Sequence, residues 1–586
     1  MKKLILNPNK MDKDSINVFL GKWFLFLVKK RKLKNIKINL LTEKKINIKE
    51  HLALEKYHNR IYEKILDELF PKLNHINNIR WKRKTWNFLI GSWLRAYIVV
   101  IIDRINLIKP VLKKKSININ YLFKKKNNSL LTNDLRNFTY NAGLVDWNET
   151  LLIKILYLLK NKKFKYEFNV LDFQNHYEIK KISLLQKCIY NLKILILKFF
   201  ERILCFNNKI ILINTYIYDK FKLLKIWTGL KSFPFLYSFN FFNNKITYSN
   251  LNFKLRNRLK INFNTKDINL KICKFLLPEL LPKVYLEGFN EQIKLSRTSH
   301  LPKNIKKIIT ASTYTDNVFK FWVAEQINNN AQLYINQHGA GYNVYKNWSY
   351  DNFENSISKK KFIWGVKKNN TKQIAVGNFL INNKKILKNK ILNNKKYLLI
   401  LPTLEIFQRG NSFNPKHFSL ECLFETQKII DCLDTKLIKI NVRDHPMNHR
   451  RLLSFGDYLK YNKSFKVINF KTSLSKLYDE HAFIIFPYLS TEFLKLIALN
   501  KPCMLMLSKE IYSDYLTNSA KKDFKKLIDV GILHLSGNSL ANKLKKISTN
   551  LENWWDEKEI NKTKTEFCKN YSYPAFNEKI IIKSLK

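Results

Sequence analysis

The stretch QLYINQHGAGY, Gln332–Tyr342, joins a short apolar run to a loop with two glycines. The run Gln332–Asn336 has the length and composition of a strand buried in a parallel sheet. In the loop, Gly339 and Gly341 permit a tight turn and let backbone N–H groups approach an anionic ligand. His338 stands between strand and turn, where an imidazole could take up or donate a proton near neutral pH. We therefore predict a ligand site at this strand end; an ordinary glycine turn with a surface histidine is the alternative.

Further apolar runs, separated by helical patterns, form two series of predicted strands. The first series consists of Lys209–Thr215, Lys306–Thr310, Gln332–Asn336 and Phe362–Trp364. The second series consists of Tyr397–Leu401, Leu437–Val442, Phe465–Ile468, Ala482–Phe486 and Cys503–Leu507. This alternation predicts an α/β fold with two parallel-sheet domains facing across a cleft, preceded by a helix-rich N-terminal region. Such sheets bind ligands at the carboxyl ends of their strands, so the cleft is the expected site.

The length of 586 residues requires more than one hydrophobic core, because single cores stop growing at about 250–300 residues. We predict that residues 1–380 contain the helix-rich region and the first α/β domain, and that the Lys/Asn-rich residues 381–396 form a linker. The second α/β domain is predicted at residues 397–550. A helical tail at residues 551–586 could cross back and pack on the first domain.

Two loops of the second domain carry groups suited to phosphate. Arg443 and His445 follow a predicted strand and offer two cationic donors. Ser490, Thr491 and Glu492 stand between another strand and a helix, whose first N–H groups and positive dipole end favour an anion. The simpler alternatives are a solvated loop for the first group and an ordinary helix cap for the second. Since candidate sites fall at strand ends in both domains, we favour one shared ligand site.

Two carboxylates of the first domain are alternatives to His338 as a catalytic base. Glu354 and Asp316 each lie near a predicted strand end on the same side of the cleft. No Asp-x-Asp run follows a strand, and the seven cysteines are scattered without the spacing of metal ligands. We therefore expect no metal site, no cofactor and no disulfide framework.

The formal charge of +61, from 106 basic and 45 acidic side chains, would suit a polyanionic partner. The lysines are spread through the chain together with Asn and Ile, however, which is typical of solvated surface encoded by an AT-rich genome. No nucleic-acid-binding motif stands out, so we expect no specific nucleic-acid partner. The alternative function is that of a non-catalytic basic protein that binds nucleic acid or an anionic membrane surface.

Two long apolar segments, Phe88–Ile102 and Ile189–Phe206, contain charged residues and fall short of a clean span of about 20 residues. We expect them to be buried or interfacial helices. No hydrophobic signal segment develops after the initial Met-Lys-Lys. The expected location is the cytoplasm, with peripheral contact at the inner face of an anionic membrane as a further expectation.

Motifs spread over most of the chain, taken in order, resemble the large transferases encoded in O-antigen and related surface-carbohydrate gene clusters. The motifs that carry the resemblance are Phe19–Trp23, Trp86–Arg104, Asp146–Asn148, Phe319–Trp322, Gln337–Gly339, Trp364-Gly365, Ser490-Thr491, Leu499–Pro502 and Trp554-Trp555. The chain departs from the family pattern on the acceptor side at Ala340, Asn343 and Lys359.

The resemblance implies a glycosyltransferase with two Rossmann-like domains, the GT-B arrangement. Such an enzyme would transfer a sugar from a nucleotide-sugar donor to a saccharide or lipid-linked saccharide acceptor in surface-polysaccharide synthesis, without a metal. The His-Pro and Ser-Thr pairs are also similar to nucleotide-binding motifs of bacterial sialyl- and Kdo-type transferases. That similarity implies a nucleotide contact for His445 and phosphate contacts for Ser490 and Thr491, and it makes a CMP-linked donor one expectation.

Overall fold

The computed structural model describes most of the chain. The described residues are 2–7, 11, 13–21, 36–41, 46–119, 130–160, 183–204, 209–232, 251–261, 264–299, 301–311, 317–366, 370–381, 396–403, 407, 418–433, 438–445, 465–469 and 471–586. Nearly all of the predicted linker, residues 382–395, lies outside these ranges, and so does Asp316.

The N-terminal region is built on two helices of 30 residues each, α1 (Ile48–Asn77) and α2 (Arg83–Leu112), which pack against each other. Helix α1 begins at a capping box, in which the Asn47 side chain accepts from the Glu50 N–H and the Glu50 carboxylate accepts from the Asn47 N–H. Helix α2 has apolar residues around most of its circumference, as expected for a helix that neighbouring segments cover on nearly all sides. The segment Phe88–Ile102 is therefore buried, as the sequence predicts.

A small parallel sheet precedes and follows these helices, in the order β3-β2-β1-β4. Its strands are β1 (Lys2–Ile5), β2 (Ile16–Leu20), β3 (Ile38–Leu41) and β4 (Ile117–Asn118). The strands predicted from the sequence begin at Lys209, so this sheet is an addition to the predicted helix-rich N-terminal region. The strands have at most five residues, too few to establish a periodic pattern by themselves.

Arg104 of α2 joins the next two helices, α3 (Leu135–Asn141) and α4 (Val145–Leu159), to the N-terminal core. Its guanidinium is fully buried. It donates to the side chains of Asn148 and Asp103, both at 2.8 Å, and to the carbonyl of Ala142 at 2.9 Å. A buried cation is tolerated only with such a full set of acceptors.

The first α/β domain contains a five-stranded parallel sheet in the order β5-β6-β7-β8-β9. Its strands are β5 (Ile210–Leu212), β6 (Lys307–Thr310), β7 (Gln332–Asn336), β8 (Lys360–Ile363) and β9 (Gln373–Ala375). The helices of this part are α5 (Leu184–Leu204), α6 (Lys220–Gly229), α7 (Phe253–Arg258), α8 (Ile268–Leu280), α9 (Phe289–Arg297), α10 (Asn317–Asn328) and α11 (Ser349–Ile357).

The second α/β domain contains a six-stranded parallel sheet in the order β12-β11-β10-β13-β14-β15. Its strands are β10 (Lys396–Ile400), β11 (Lys439–Arg443), β12 (Lys466–Ile468), β13 (Phe483–Phe486), β14 (Cys503–Met506) and β15 (Leu533–His534). Its helices are α12 (Phe418–Cys432), α13 (Leu474–Glu480), α14 (Thr491–Ala498), α15 (Asn518–Asp529) and α16 (Gly537–Ile547). The predicted α/β class with two parallel sheets and a helix-rich N-terminal region is confirmed. No described helix has both the length and the apolar character needed to cross a membrane.

The C-terminal tail consists of α17 (Leu551–Asp556), α18 (Lys558–Tyr571) and α19 (Glu578–Leu585). Helix α18 packs on the second domain against α14 and α15. The chain then returns to the first domain, where the N–H of Tyr573 donates to the carbonyl of Trp364 at 3.1 Å. The N–H of Asn577 donates to the carbonyl of Val376 at 2.7 Å, and α19 packs against α6. The tail therefore fastens the two domains together.

The tail packs tightly against the first domain at Gly365, because a Cβ there would lie 1.8 Å from the carbonyl oxygen of Asn570. We predict that Gly365→Ala destabilises the protein by about 1–3 kcal/mol, the usual cost of overpacking. The matched control is Gly288→Ala, whose new methyl group would have no neighbour nearer than 3.5 Å and should cost less than about 1 kcal/mol. Thermal and urea unfolding measure both variants. Equal losses in the two variants would contradict the tight seating of the tail.

Candidate functional site

A cleft of about 510 Å³ lies between the two domains at the carboxyl ends of β7, β10, β11 and β13. One wall comes from the glycine loop of the first domain and the other from three strand ends of the second domain. The lining residues are Gly339, Ala340, Gly341, Tyr345, Trp348, Ile400, Leu401, Arg443, His445, Leu474, Tyr488, Leu489, Ser490, Thr491 and Glu492. The structure thus brings the predicted glycine loop and all five predicted phosphate-binding residues to one cavity.

The two walls are joined by backbone hydrogen bonds. Tyr345 of the first domain and Leu516 of the second form an antiparallel bridge. On either side of it, the Lys346 N–H donates to the carbonyl of Tyr515 and the Thr517 N–H donates to the carbonyl of Val344, both at 2.9 Å. This pairing sets the spacing of the walls at the cleft itself.

The glycines of the loop make room for the indole of Trp348. A Cβ on Gly339 would lie 2.9 Å from this ring, and a Cβ on Gly341 would lie 2.8 Å from it. Neither residue has a positive φ, since the described glycines with positive φ are Gly21, Gly377 and Gly531. The glycines are required by close packing of an aromatic ring, which then lines the cleft. From the sequence, the two glycines are predicted only to permit a tight turn and the approach of an anion.

Behind this loop, His338 is held by a buried polar cluster. The Tyr342 hydroxyl lies 3.0 Å from His338 Nδ1 and donates to Glu354 Oε2 at 2.6 Å. Glu354 Oε1 lies 3.5 Å from the same imidazole nitrogen. The ammonium of Lys361 lies 3.1 Å from Glu354 Oε2 and also pairs with Asp351. Neither Lys361 nor the Glu354 side chain is exposed, so the two charges compensate each other inside the domain.

Burial lowers the pKa of His338 below its ordinary value of 6.5, and the nearby Lys361 acts in the same direction. The Glu354 carboxylate opposes this shift without cancelling it. The imidazole is therefore neutral at pH 7, although 21% of its side-chain surface remains exposed. A neutral imidazole beside the cleft can accept a proton. Glu354, fully buried behind Tyr342, has the placement of a residue that positions His338.

The second wall presents the Arg443 guanidinium, the His445 imidazole and a helix N-terminus. Arg443 ends β11 and is buried, with Nη2 lying 3.4 Å from the carbonyl oxygen of Thr472. His445 follows it, and its N–H donates to the Asp444 carboxylate at 2.8 Å. Ser490 is the N-cap of α14, and its hydroxyl accepts from the Phe493 N–H at 3.0 Å. Ser490 is therefore a helix cap, which is the simpler of the two alternatives drawn from the sequence. The cap also directs the N-terminus of α14 toward the cleft.

Glu492 sits in the first turn of α14, where the helix dipole stabilises its charge. It accepts a hydrogen bond of 2.9 Å from the Tyr478 hydroxyl and lies 3.5 Å from the Lys495 ammonium. Burial, followed by the Glu492 charge, raises the pKa of Tyr478, so this hydroxyl stays protonated and donates. A carboxylate held in this way accepts hydrogen bonds from hydroxyl groups more readily than it tolerates a phosphate.

Sequence reasoning missed the aromatic side chains of the site. Tyr345, Trp348 and Tyr488 line the cleft, and Tyr342 links His338 to its carboxylate. A signal was present, because Tyr and Trp recur just after the Gln337–Gly339 motif, but aromatic residues in that density are equally typical of a core. The remaining candidate base, Asp316, lies outside the described residues.

Two parallel-sheet domains whose strand ends share a cleft define the class of the protein, a two-domain α/β fold of the GT-B type. A family model describes the chain more closely, matching residues 4–583. The chain belongs to the LIC12162 family of transferases. It is therefore an enzyme of the transferase class, and the family expectation drawn from the sequence motifs is confirmed.

Comparisons with individual proteins are weaker. No curated protein sequence matches the chain. MurG of Acinetobacter baumannii matches at 9% identity and a TM-score of 0.29, over 50% of this chain and 77% of its own. The UDP-GlcNAc 2-epimerase of Methanocaldococcus jannaschii matches at 16% identity and a TM-score of 0.28, over 56% of this chain and 83% of its own. The sheet topology defines the fold, and these two matches are not used for it.

Proposed function

We propose that the protein is a glycosyltransferase that moves a sugar from a nucleotide-sugar donor to a saccharide or lipid-linked saccharide acceptor of surface-polysaccharide assembly. The observation that carries this proposal is the interdomain cleft with two unlike walls. The second-domain wall offers groups for an anion. The first-domain wall offers the half-buried ring of Trp348. The neutral imidazole of His338 lies next to this wall, directly before the glycine loop and outside the cleft lining.

The donor nucleotide occupies the second-domain wall. Arg443 and the N-terminus of α14 provide positive potential and N–H donors for phosphate. His445 adds an imidazole, and Thr491 adds a hydroxyl. Glu492 suits the hydroxyls of a ribose or a donor sugar. These groups perform the charge neutralisation that a metal ion supplies in other sites, so transfer by this route needs no metal.

The acceptor occupies the first-domain wall. Trp348 offers a flat apolar face for the C–H face of a sugar ring, and its ring is locked by the glycine loop. In the transfer step, an acceptor hydroxyl oxygen bonds to the anomeric carbon while the bond from this carbon to the phosphate oxygen breaks. The electron pair leaves with the phosphate, and the hydroxyl proton passes to His338. Tyr342 and Glu354 hold the imidazole and stabilise the imidazolium that forms.

A ligand screen tests the proposal directly. We expect one nucleotide among CMP, UDP and GDP, or one of their sugar conjugates, to raise the melting temperature selectively. A ligand at about 100 times its Kd should stabilise the native state by about 2.7 kcal/mol. A basic protein without a nucleotide site would behave differently, because its binding to polyanions would ignore the base and fall steeply as salt rises. Selective stabilisation by none of these compounds would refute the proposal.

The phosphate site predicts the effect of removing its hydroxyl groups. Ser490→Ala with Thr491→Ala should weaken nucleotide binding by about tenfold or more, since a hydrogen bond to a charged group is worth about 1.5–3 kcal/mol. Isothermal titration with the nucleotide found in the screen measures the loss. His445→Ala should give a loss of similar size.

The control for these variants is Ser536→Ala, because Ser536 caps α16 through the same type of bond, accepting from the Ser539 N–H at 3.3 Å. Loss of a cap costs about 1 kcal/mol of stability in either place. Only the Ser490/Thr491 variant should also lose affinity. If it melts earlier but binds nucleotide normally, the hydroxyls serve the helix alone.

His338 is expected to act in the chemical step. His338→Ala should lower kcat by about 10²–10⁴-fold and leave donor affinity nearly unchanged, since the donor is held by the other wall. Because the pKa of His338 is below 6.5, kcat/KM should stay level near pH 7 and fall only below pH 6.5 as the base is protonated. Tyr342→Phe should shift this acid limb while retaining partial activity. Near-normal kcat in His338→Ala, with loss in Glu354→Gln or Asp316→Asn, would move the role to that carboxylate.

A further inference from the structure

Helix α5 carries large apolar side chains that are exposed to solvent. Between 44% and 81% of each of these residues is accessible, whereas core residues of this type are nearly inaccessible. The exposed residues are Leu184, Leu185, Ile189, Leu192, Leu195, Ile196 and Phe199. Contiguous apolar surface of this kind marks an interaction site.

These side chains lie on one side of the helix. At about 100° per residue, the seven positions fall within an arc of about 140°. Ile194 lies on the opposite side of the helix and is only 6% exposed. The helix is therefore covered by the protein on the side of Ile194 and exposes seven large apolar side chains, whereas an ordinary surface helix exposes its polar face.

Basic residues border this apolar face. The helix sequence contains Lys187, Lys193, Lys198 and Arg202 against the single acid Glu201. The helical repeat assigns Lys193, which is exposed, to one border of the face. An apolar face bordered by lysine, on a helix whose sequence is net basic, is the pattern of a helix that lies in the headgroup region of an anionic membrane.

The length and charge of α5 support lying on a membrane in preference to crossing it. Its 21 residues span about 31 Å, but five charged residues interrupt the apolar sequence. A second copy of the chain would bring two net basic helices against each other, and the whole chain already carries +61 charges. An anionic lipid surface complements both the apolar face and the basic charge.

We propose that α5 is an interfacial helix that docks the enzyme on an anionic lipid surface. The apolar side chains enter the headgroup boundary while the lysines contact lipid phosphates. The inference goes beyond the proposed glycosyl transfer and stands on separate residues. Combined with that function, it favours a lipid-linked acceptor over a free saccharide.

The test uses the full chain with vesicles of phosphatidylcholine alone and with about 30 mol% phosphatidylglycerol. Co-sedimentation should show binding at least about tenfold tighter to the anionic vesicles. Leu192→Glu with Leu195→Glu should reduce that binding by about tenfold or more, since both side chains lie on the exposed face. The matched control is Phe424→Glu with Ile268→Glu, which adds the same charge at exposed apolar positions elsewhere and should change binding less than about twofold.

Cys188 supplies a second measurement, because it is an exposed thiol on α5. A polarity-sensitive fluorophore on Cys188, with Cys205 and Cys432 replaced by serine, should shift to the blue on addition of anionic vesicles. Equal binding by the α5 variant and its control, or an unshifted fluorophore, would overturn the proposal in favour of attraction by charge alone. A dimer of the wild type that the α5 variant loses in gel filtration, without vesicle binding, would instead assign the face to a second copy.

The nucleotide-induced rise in melting temperature should be the same in all these variants, so failure of docking and failure of the proposed function are distinguishable.

Discussion

The backbone bridge between Tyr345 and Leu516 is the interaction on which the site depends, because it joins the two cleft walls at the point where they meet. Each wall belongs to a separate sheet, and the hydrogen bonds between strands of one sheet do not fix its distance from the other sheet. The bridge ties the loop after β7 to the segment before α15 through main-chain atoms. Main-chain bonds hold this register whatever the side chains, so the first-domain wall can accommodate residues such as Ala340 and Asn343.

Several motifs that identify the family make buried contacts with one another. Arg104 binds Asn148, and the Gln337 side chain bridges the N–H of Trp364 and the carbonyl of Gly339. The Trp555 indole donates to Asn500 across the junction of tail and second domain. A polar group that loses water must find its partner within the fold, so such pairs restrict substitution at both ends. These family motifs therefore stabilise the fold, whereas the chemical activity has to be inferred from the residues of the cleft.

The high positive charge has two distinct consequences in the structure. Most lysines are solvated, but a few are buried in defined roles, such as Lys361 against Glu354 and Lys320, whose pKa burial lowers to about 7. Lys320 donates to the Ser92 hydroxyl at 3.0 Å, which joins the helix of the first domain to α2. On α5, Lys193 is exposed and borders an apolar face that is also exposed. Composition alone predicts a basic surface, whereas the division of the lysines between core and surface follows from the position of each residue.

The amino-acid sequence is sufficient to predict the α/β class, nearly every strand of the two large sheets, and the loops that carry the candidate site. A strand and the loop at its carboxyl end are contiguous in the chain, so one pattern identifies both. The sequence patterns miss the N-terminal sheet and the short strands β9 and β15, whose two to five residues contain too little periodicity. Only the tertiary structure decided that Trp348 fills the space above Gly339 and Gly341, and that Glu354 stands behind Tyr342. It also decided which face of α5 is exposed. These relations depend on packing between segments, which local sequence patterns do not encode.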